Sequence, residues 1–206
     1  MRRFSMLDDS KPTLSRAIFS HRLHIGLGVV LLGALVVRPQ NIFGDHQVFG
    51  VTISLALILL GLAMRAWAGG CAGAHTRKAT IEAPRLITGG PYAYVRNPIY
   101  LASIILGLGM VGLLGDPWMF ALYVAVFVFL YTAIVPAEEA FLRRTFPEEF
   151  ARYCAHVPRL FPKWRPWREA QPVEFEWSAL ASEARLGLVL LGIYGFMRLA
   201  AWLRAL

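Results

Sequence analysis

The sequence predicts an all-α integral membrane protein, on three observations. Hydrophobic residues make up 57% of the 206 and charged residues only 17%, against ~45–50% and ~25% in an ordinary soluble domain. The apolar residues are gathered into long runs that polar turns interrupt. The cations alternate between the loops: five Lys or Arg lie up to Arg22, four in 70–96 and eight in 138–185, with none in 39–47 or at the Asp116 turn. By the positive-inside bias the three basic regions face the cytoplasm, which fits the cytoplasmic membrane and about five spans.

Residues 1–22 are polar and mixed in charge, a short cytoplasmic arm. Asp8, Asp9 and Lys11 separate Arg2 and Arg3 from any apolar run, which speaks against a cleaved signal peptide. Residues 23–206 then form one transmembrane domain. The first expected span, 23–37, lies between Arg22 and Arg38 and is short for a bilayer, so its ends must snorkel. The second, 48–64, continues into Arg65 and Trp67 as an interfacial anchor and is broken at Gly69-Gly70-Cys71-Ala72-Gly73. Spans three (99–115) and four (118–137) are joined through Asp116-Pro117 and form an antiparallel hairpin. Residues 138–156 read as a separate amphipathic interfacial helix, with Leu142, Phe146, Phe150 and Cys154 on one face and a division at Pro147. Residues 158–172 read as an irregular surface segment, and 186–203 as a fifth span with Arg198 snorkelling from it.

The net charge of +8 is placed beside apolar segments, so anionic headgroups are the expected partner and nucleic acid is not. Five histidines and two cysteines show no ligand or disulfide spacing.

One polar stretch stands out, Leu86-Ile87-Thr88-Gly89-Gly90-Pro91-Tyr92-Ala93-Tyr94-Val95-Arg96-Asn97-Pro98-Ile99-Tyr100. Asn97-Pro98 reads as a helix cap followed by a first-turn proline. The positive end of the third span therefore opens beside Arg96, a place suited to an anion. Gly89-Gly90-Pro91 is a turn of little bulk, where backbone can approach a ligand.

Together with Glu138-Glu139, Leu142, Phe146, Tyr153 and Val157-Pro158-Arg159, this stretch resembles the isoprenylcysteine carboxyl methyltransferase and phospholipid methyltransferase superfamily, over roughly residues 48–162. The resemblance implies a membrane enzyme that uses S-adenosyl-L-methionine at the cytosolic end of its helices, with the amphipathic helix capping a cofactor core over 74–162. It makes Arg85, Leu86, Ile87, Gly90, Tyr92, Asn97, Pro98, Ile99, Tyr100, Glu138 and Glu139 cofactor candidates. Many relatives differ at three places, having histidine for Asn97, glycine for Ala102 and Phe-Gly for Phe146-Pro147. An arginine that the isoprenylcysteine enzymes carry shortly before the glutamates is absent, and Ile134 occupies that region.

S-Adenosylmethionine offers a carboxylate for Arg96 and the α-helix end, hydroxyls or an ammonium for Glu138, and a sulfonium for the faces of Tyr92 and Tyr100. Arg96 and Glu138 are the expected catalytic pair, acting on a lipid or lipid-like acceptor from the bilayer. Each also has a purely structural reading, as a lipid-phosphate anchor and as a first-turn helix charge. Two other functions fit the same chain: a nicotinamide-dependent reductase of the sterol-reductase type, and a non-enzymatic protein that binds anionic lipid.

Overall fold

The computed structural model describes residues 46–73 and 85–203. The arm 1–22, the expected span 23–37 and most of the loop before Arg85 lie outside the described residues. Among the described residues there are five α-helices: α1 (Gln47–Ala72), α2 (Pro98–Leu114), α3 (Pro117–Thr145), α4 (Pro147–His156) and α5 (Ser178–Leu203), with one 3-10 turn at Gly90–Ala93. Three of them, α1, α3 and α5, are long and apolar enough to cross a membrane, and α2 is apolar over 17 residues. Their outer faces carry exposed Phe49, Leu59, Phe120, Phe129, Leu188 and Phe196, a surface that matches hydrocarbon rather than water. The chain is an all-helical integral membrane protein.

Small residues set the packing. A Cβ on Gly61 would lie 2.7 Å from the backbone nitrogen of Leu106, and one on Gly109 would lie 2.6 Å from the carbonyl oxygen of Ser54. Hence α1 and α2 approach backbone to backbone, as helices in lipid do when small residues line the contact. Ile58, Leu106 and Leu113 form the core at this seam, with Leu186, Leu190 and Tyr194 of α5 packed against it. The α2–α3 turn is fixed locally. Gly115 takes the left-handed conformation (φ 61°), and the Asp116 carboxylate accepts from the N–H groups of Trp118 and Met119 at 2.9 and 3.0 Å, an N-terminal cap.

Four boundaries differ from the sequence reading, each for a tertiary reason. Helix α1 runs through Gly69 and Gly70 to Ala72, because Gly70 is where the Phe175 ring lies against the helix. Helix α3 continues past Pro136 to Thr145, so Glu138 and Glu139 sit within a helix rather than in a first turn. An internal proline loses one backbone bond, and the helix formers that follow it resume the ladder. The amphipathic helix therefore begins at Pro147, with Glu148 and Glu149 in its first turn. Helix α5 begins at Ser178, eight residues before the expected start, because the charge of Glu183 is neutralised. Arg65 Nε donates to Glu183 Oε2 at 2.8 Å and Arg65 Nη1 to Ser103 Oγ at 2.6 Å. Arg65 thus ties α1, α2 and α5 together and is not a simple interfacial anchor.

Length places the polar groups by depth. At ~1.5 Å per residue, the first twenty residues of α3 cover the ~30 Å hydrocarbon core and deliver Glu138 and Glu139 to its far boundary. Helix α2 runs antiparallel from Pro98, so Tyr100 reaches the same level. The two sequence blocks meet there.

Candidate functional site

The motif loop is held from below by packing. Leu86 is buried with Phe150, Tyr153 and Val157, and Trp167 covers the cluster. Gly90 has φ 60°, and a Cβ there would meet Cys71 Sγ at 2.6 Å. Both facts demand glycine, and together they press the 3-10 turn onto the end of α1. Trp67 and Tyr94 then lie with ring centroids 6.3 Å apart. Asn97 occupies the cap position of α2 but makes no side-chain cap bond. Its Nδ2 donates instead to the carbonyl oxygen of Arg159 at 3.1 Å. Pro98 is fully buried.

Adjacent residues on a helix point ~100° apart, so the paired glutamates take different partners. Glu138 Oε1 accepts from the Tyr100 hydroxyl at 3.0 Å. Glu139 is buried, and Arg159 holds both its oxygens, Nε to Oε1 at 3.1 Å and Nη2 to Oε2 at 2.6 Å. Arg96 Nε lies 3.3 Å from Glu139 Oε1, close enough for an ion pair but without hydrogen-bond geometry. An aromatic ladder climbs α3 towards this centre. Tyr123 and Phe127 are in contact, Phe127 stacks on Tyr131 at 5.9 Å, and Tyr131 meets Tyr100 edge-on at 6.0 Å.

Electrostatics follow from burial. Burial pushes the Tyr92 phenol well above the ordinary tyrosine range, and the nearby Glu138 carboxylate and Cys71 push it further. Tyr153 is raised for the same first reason, with Tyr92 beside it. Its hydroxyl donates to the Tyr92 carbonyl oxygen at 2.8 Å. The hydrogen bond to Glu139 raises Arg159 above its usual value. Burial raises the Cys154 thiol, and Arg96 beside it opposes the shift. Tyr92 thus lies near Glu138, its phenol kept neutral beside a half-buried carboxylate that also accepts from Tyr100.

The segment after α4 is a strap rather than a free surface. The Arg96 N–H donates to the Pro158 carbonyl oxygen at 2.8 Å, Lys163 N–H to Tyr94 O at 3.1 Å, and Trp167 N–H to Ala93 O at 2.9 Å. Further on, Gln171 N–H donates to Thr88 Oγ1 at 3.0 Å and Glu176 N–H to Gly70 O at 2.9 Å. The strap crosses the whole motif before entering α5. The Trp167 ring stacks on His156 at 5.5 Å with 14° between planes, and stands 5.9 Å from Tyr153.

The predicted residues divide accordingly. Leu86 and Pro98 are packing, Ile87 and Ile99 are half-buried, and Arg85 is exposed. Gly90 shapes the turn. Tyr92, Tyr100 and Glu138 converge, whereas Arg96, Asn97 and Glu139 belong to the clamp closed by Arg159. Sequence reasoning gave no role to Arg159, Tyr131 or the strap. The i+4 spacing of Tyr123, Phe127 and Tyr131 was the one readable sign of the ladder.

Comparison with known proteins adds the family. The cobalt-zinc-cadmium resistance protein CzcN of Cupriavidus metallidurans is 28% identical over 172 residues, 80% of this chain and 76% of that protein. The nickel-cobalt-cadmium resistance protein NccN of Alcaligenes xylosoxydans xylosoxydans is 29% identical over 152 residues, 70% of this chain and 67% of that protein. The protein-S-isoprenylcysteine O-methyltransferase of Schizosaccharomyces pombe is 35% identical over 77 residues, 37% of this chain and 33% of that enzyme. No solved structure gives a significant match. The phospholipid methyltransferase family profile matches residues 49–149, the span from α1 to the start of α4 that contains both the motif and the paired glutamates, and the chain belongs to that family.

Proposed function

We propose that this protein is an S-adenosyl-L-methionine-dependent methyltransferase acting on a lipid or lipid-like acceptor, of prenylcysteine-carboxylate or phospholipid type, at the cytoplasmic face of the membrane. The observation that carries this reading is the 3.0 Å bond from Tyr100 to Glu138. It joins two blocks that are 38 residues apart, at the depth where apolar walls give way to polar groups. The residues suit the cofactor's chemistry. Glu138 is a half-buried acceptor for hydroxyls or an ammonium. Tyr92 and Tyr100 offer faces that attract a sulfonium, and the uncapped start of α2 beside Arg96 suits a carboxylate.

When bound, the cofactor supplies an electrophilic methyl group: an acceptor lone pair forms the new bond to carbon, and the carbon–sulfur electrons leave with sulfur as a neutral thioether. The protein's share is positioning and exclusion of water. The Arg159–Glu139–Arg96 clamp holds the mouth of α2 against α3, the Tyr100 hydroxyl orients Glu138, and the strap covers the motif from the aqueous side. For an amine acceptor a proton must also leave, and Glu138 is the carboxylate in place to receive it. A carboxylate or phosphate acceptor needs no base.

Two relatives are named for metal resistance. Among the described residues no three His, Cys, Asp or Glu side chains come together as a ligand set. Calorimetry in detergent with S-adenosylhomocysteine tests the cofactor, and silence from folded protein would sink it. Lipid profiling of cells fed methyl-labelled methionine, with and without the protein, identifies the acceptor. The reductase alternative predicts thermal stabilisation by a nicotinamide dinucleotide instead.

A further inference from the structure

Two buried side-chain polar atoms among the described residues lack a hydrogen-bond partner, Arg96 Nε and Tyr131 Oη. They are not scattered. Arg96 Nε faces Glu139 off-line at 3.3 Å, and Arg159 already holds both oxygens of that carboxylate. Tyr131 stands two turns before Glu139 on the same side of α3, within electrostatic reach of Arg159, Glu139 and Arg96. Its ring lies between Tyr100 and Phe127, and its hydroxyl oxygen is shielded from solvent without a partner. Two guanidinium groups approach the one Glu139 carboxylate, and its oxygens are already engaged by Arg159. The Arg96 side chain is 13% exposed. Two unmatched donors, one of them on a guanidinium, beside an aromatic wall are complementary to one kind of group, an oxygen bearing negative charge.

We propose that Tyr131 Oη and Arg96 Nε, backed by Arg159, form a buried oxyanion subsite that receives a carboxylate or phosphate oxygen of a bound reactant. This rests on the methyltransferase reading above and adds Tyr131 as a binding residue. The oxyanion has two sources, the amino-acid carboxylate of the cofactor or the acidic headgroup of the acceptor lipid. Bound there, it takes the Tyr131 O–H and the Arg96 N–H while Glu139 keeps Arg159.

The test compares full-length wild type with Tyr131→Phe in detergent. The hydroxyl has no partner, so its removal leaves the melting temperature of the ligand-free protein unchanged or raises it. Calorimetry then uses S-adenosylhomocysteine and its decarboxylated analogue, while native mass spectrometry counts retained phosphatidylglycerol against phosphatidylcholine. A loss of about tenfold for S-adenosylhomocysteine, as expected for one hydrogen bond to a charged group, with none for the analogue assigns the site to the cofactor carboxylate. Unchanged nucleoside binding with selective loss of phosphatidylglycerol assigns it to the acceptor. If wild type binds neither nucleoside, the cofactor reading fails and the lipid arm still decides the subsite. Tyr131→Phe that alters neither ligand, or that lowers the melting temperature by several degrees, overturns the proposal.

Discussion

Arg159 reaches back twenty residues, from the segment after α4, to hold both carboxylate oxygens of Glu139 on α3. The pair closes a ring: Asn97 takes the Arg159 carbonyl oxygen and Arg96 flanks the same carboxylate. Removing the acid leaves Arg96 buried against an uncompensated positive charge. Glu139→Ala is therefore expected to cost about 3 kcal/mol, read as a fall in melting temperature in detergent. Arg159 is half-exposed, so Arg159→Ala costs less.

Glu138 neighbours that clamp in sequence but takes a different partner, the Tyr100 hydroxyl. Glu138→Gln keeps the shape and an acceptor oxygen but loses the charge, and should weaken S-adenosylhomocysteine by roughly ten- to a hundredfold with little change in melting temperature. Tyr100→Phe should lose several-fold less, because it only frees the carboxylate it orients. Calorimetry on the two variants checks the order.

The strap depends on a glycine. A Cβ on Gly89 would lie 2.1 Å from the Gln171 carbonyl oxygen, so Gly89→Ala has to lift the strap from the motif. The expected outcome is faster amide exchange over 163–176, with the α1–α2 helices unchanged, measured by hydrogen–deuterium exchange.

Gly61 and Gly109 test the membrane seam. A methyl group added at either place overlaps backbone of the facing helix, which side-chain rotation cannot relieve. Gly61→Ala and Gly109→Ala should each destabilise by about 1–3 kcal/mol, seen as earlier thermal unfolding.

Tyr153 sets an alkaline limit. Burial raises its pKa in the folded protein, whereas the unfolded chain titrates near ~10. Above that value the unfolded state binds fewer protons than the folded one, so stability falls as pH rises, and below it the phenol adds no slope. Unfolding followed from pH 8 to 11 should show the decline, and Tyr153→Phe should make it shallower, leaving the share of Tyr92, while losing the bond to Tyr92, worth about 1 kcal/mol.

Local chemistry was legible in the sequence. Apolar runs of bilayer length announced the helices, Asp116-Pro117 and Pro147 marked real helix starts, and the motif with its paired glutamates identified the family, because caps, prolines and hydrophobic length act within a few residues. Partners across the fold were decided by tertiary structure. Nothing near Glu183 in sequence tells that Arg65 neutralises it and lets α5 start early, and nothing near Pro136 tells that α3 carries on. Two neighbouring glutamates look equivalent in a string of letters, but a helix turns them apart, and so one meets Tyr100 while the other is enclosed by two arginines.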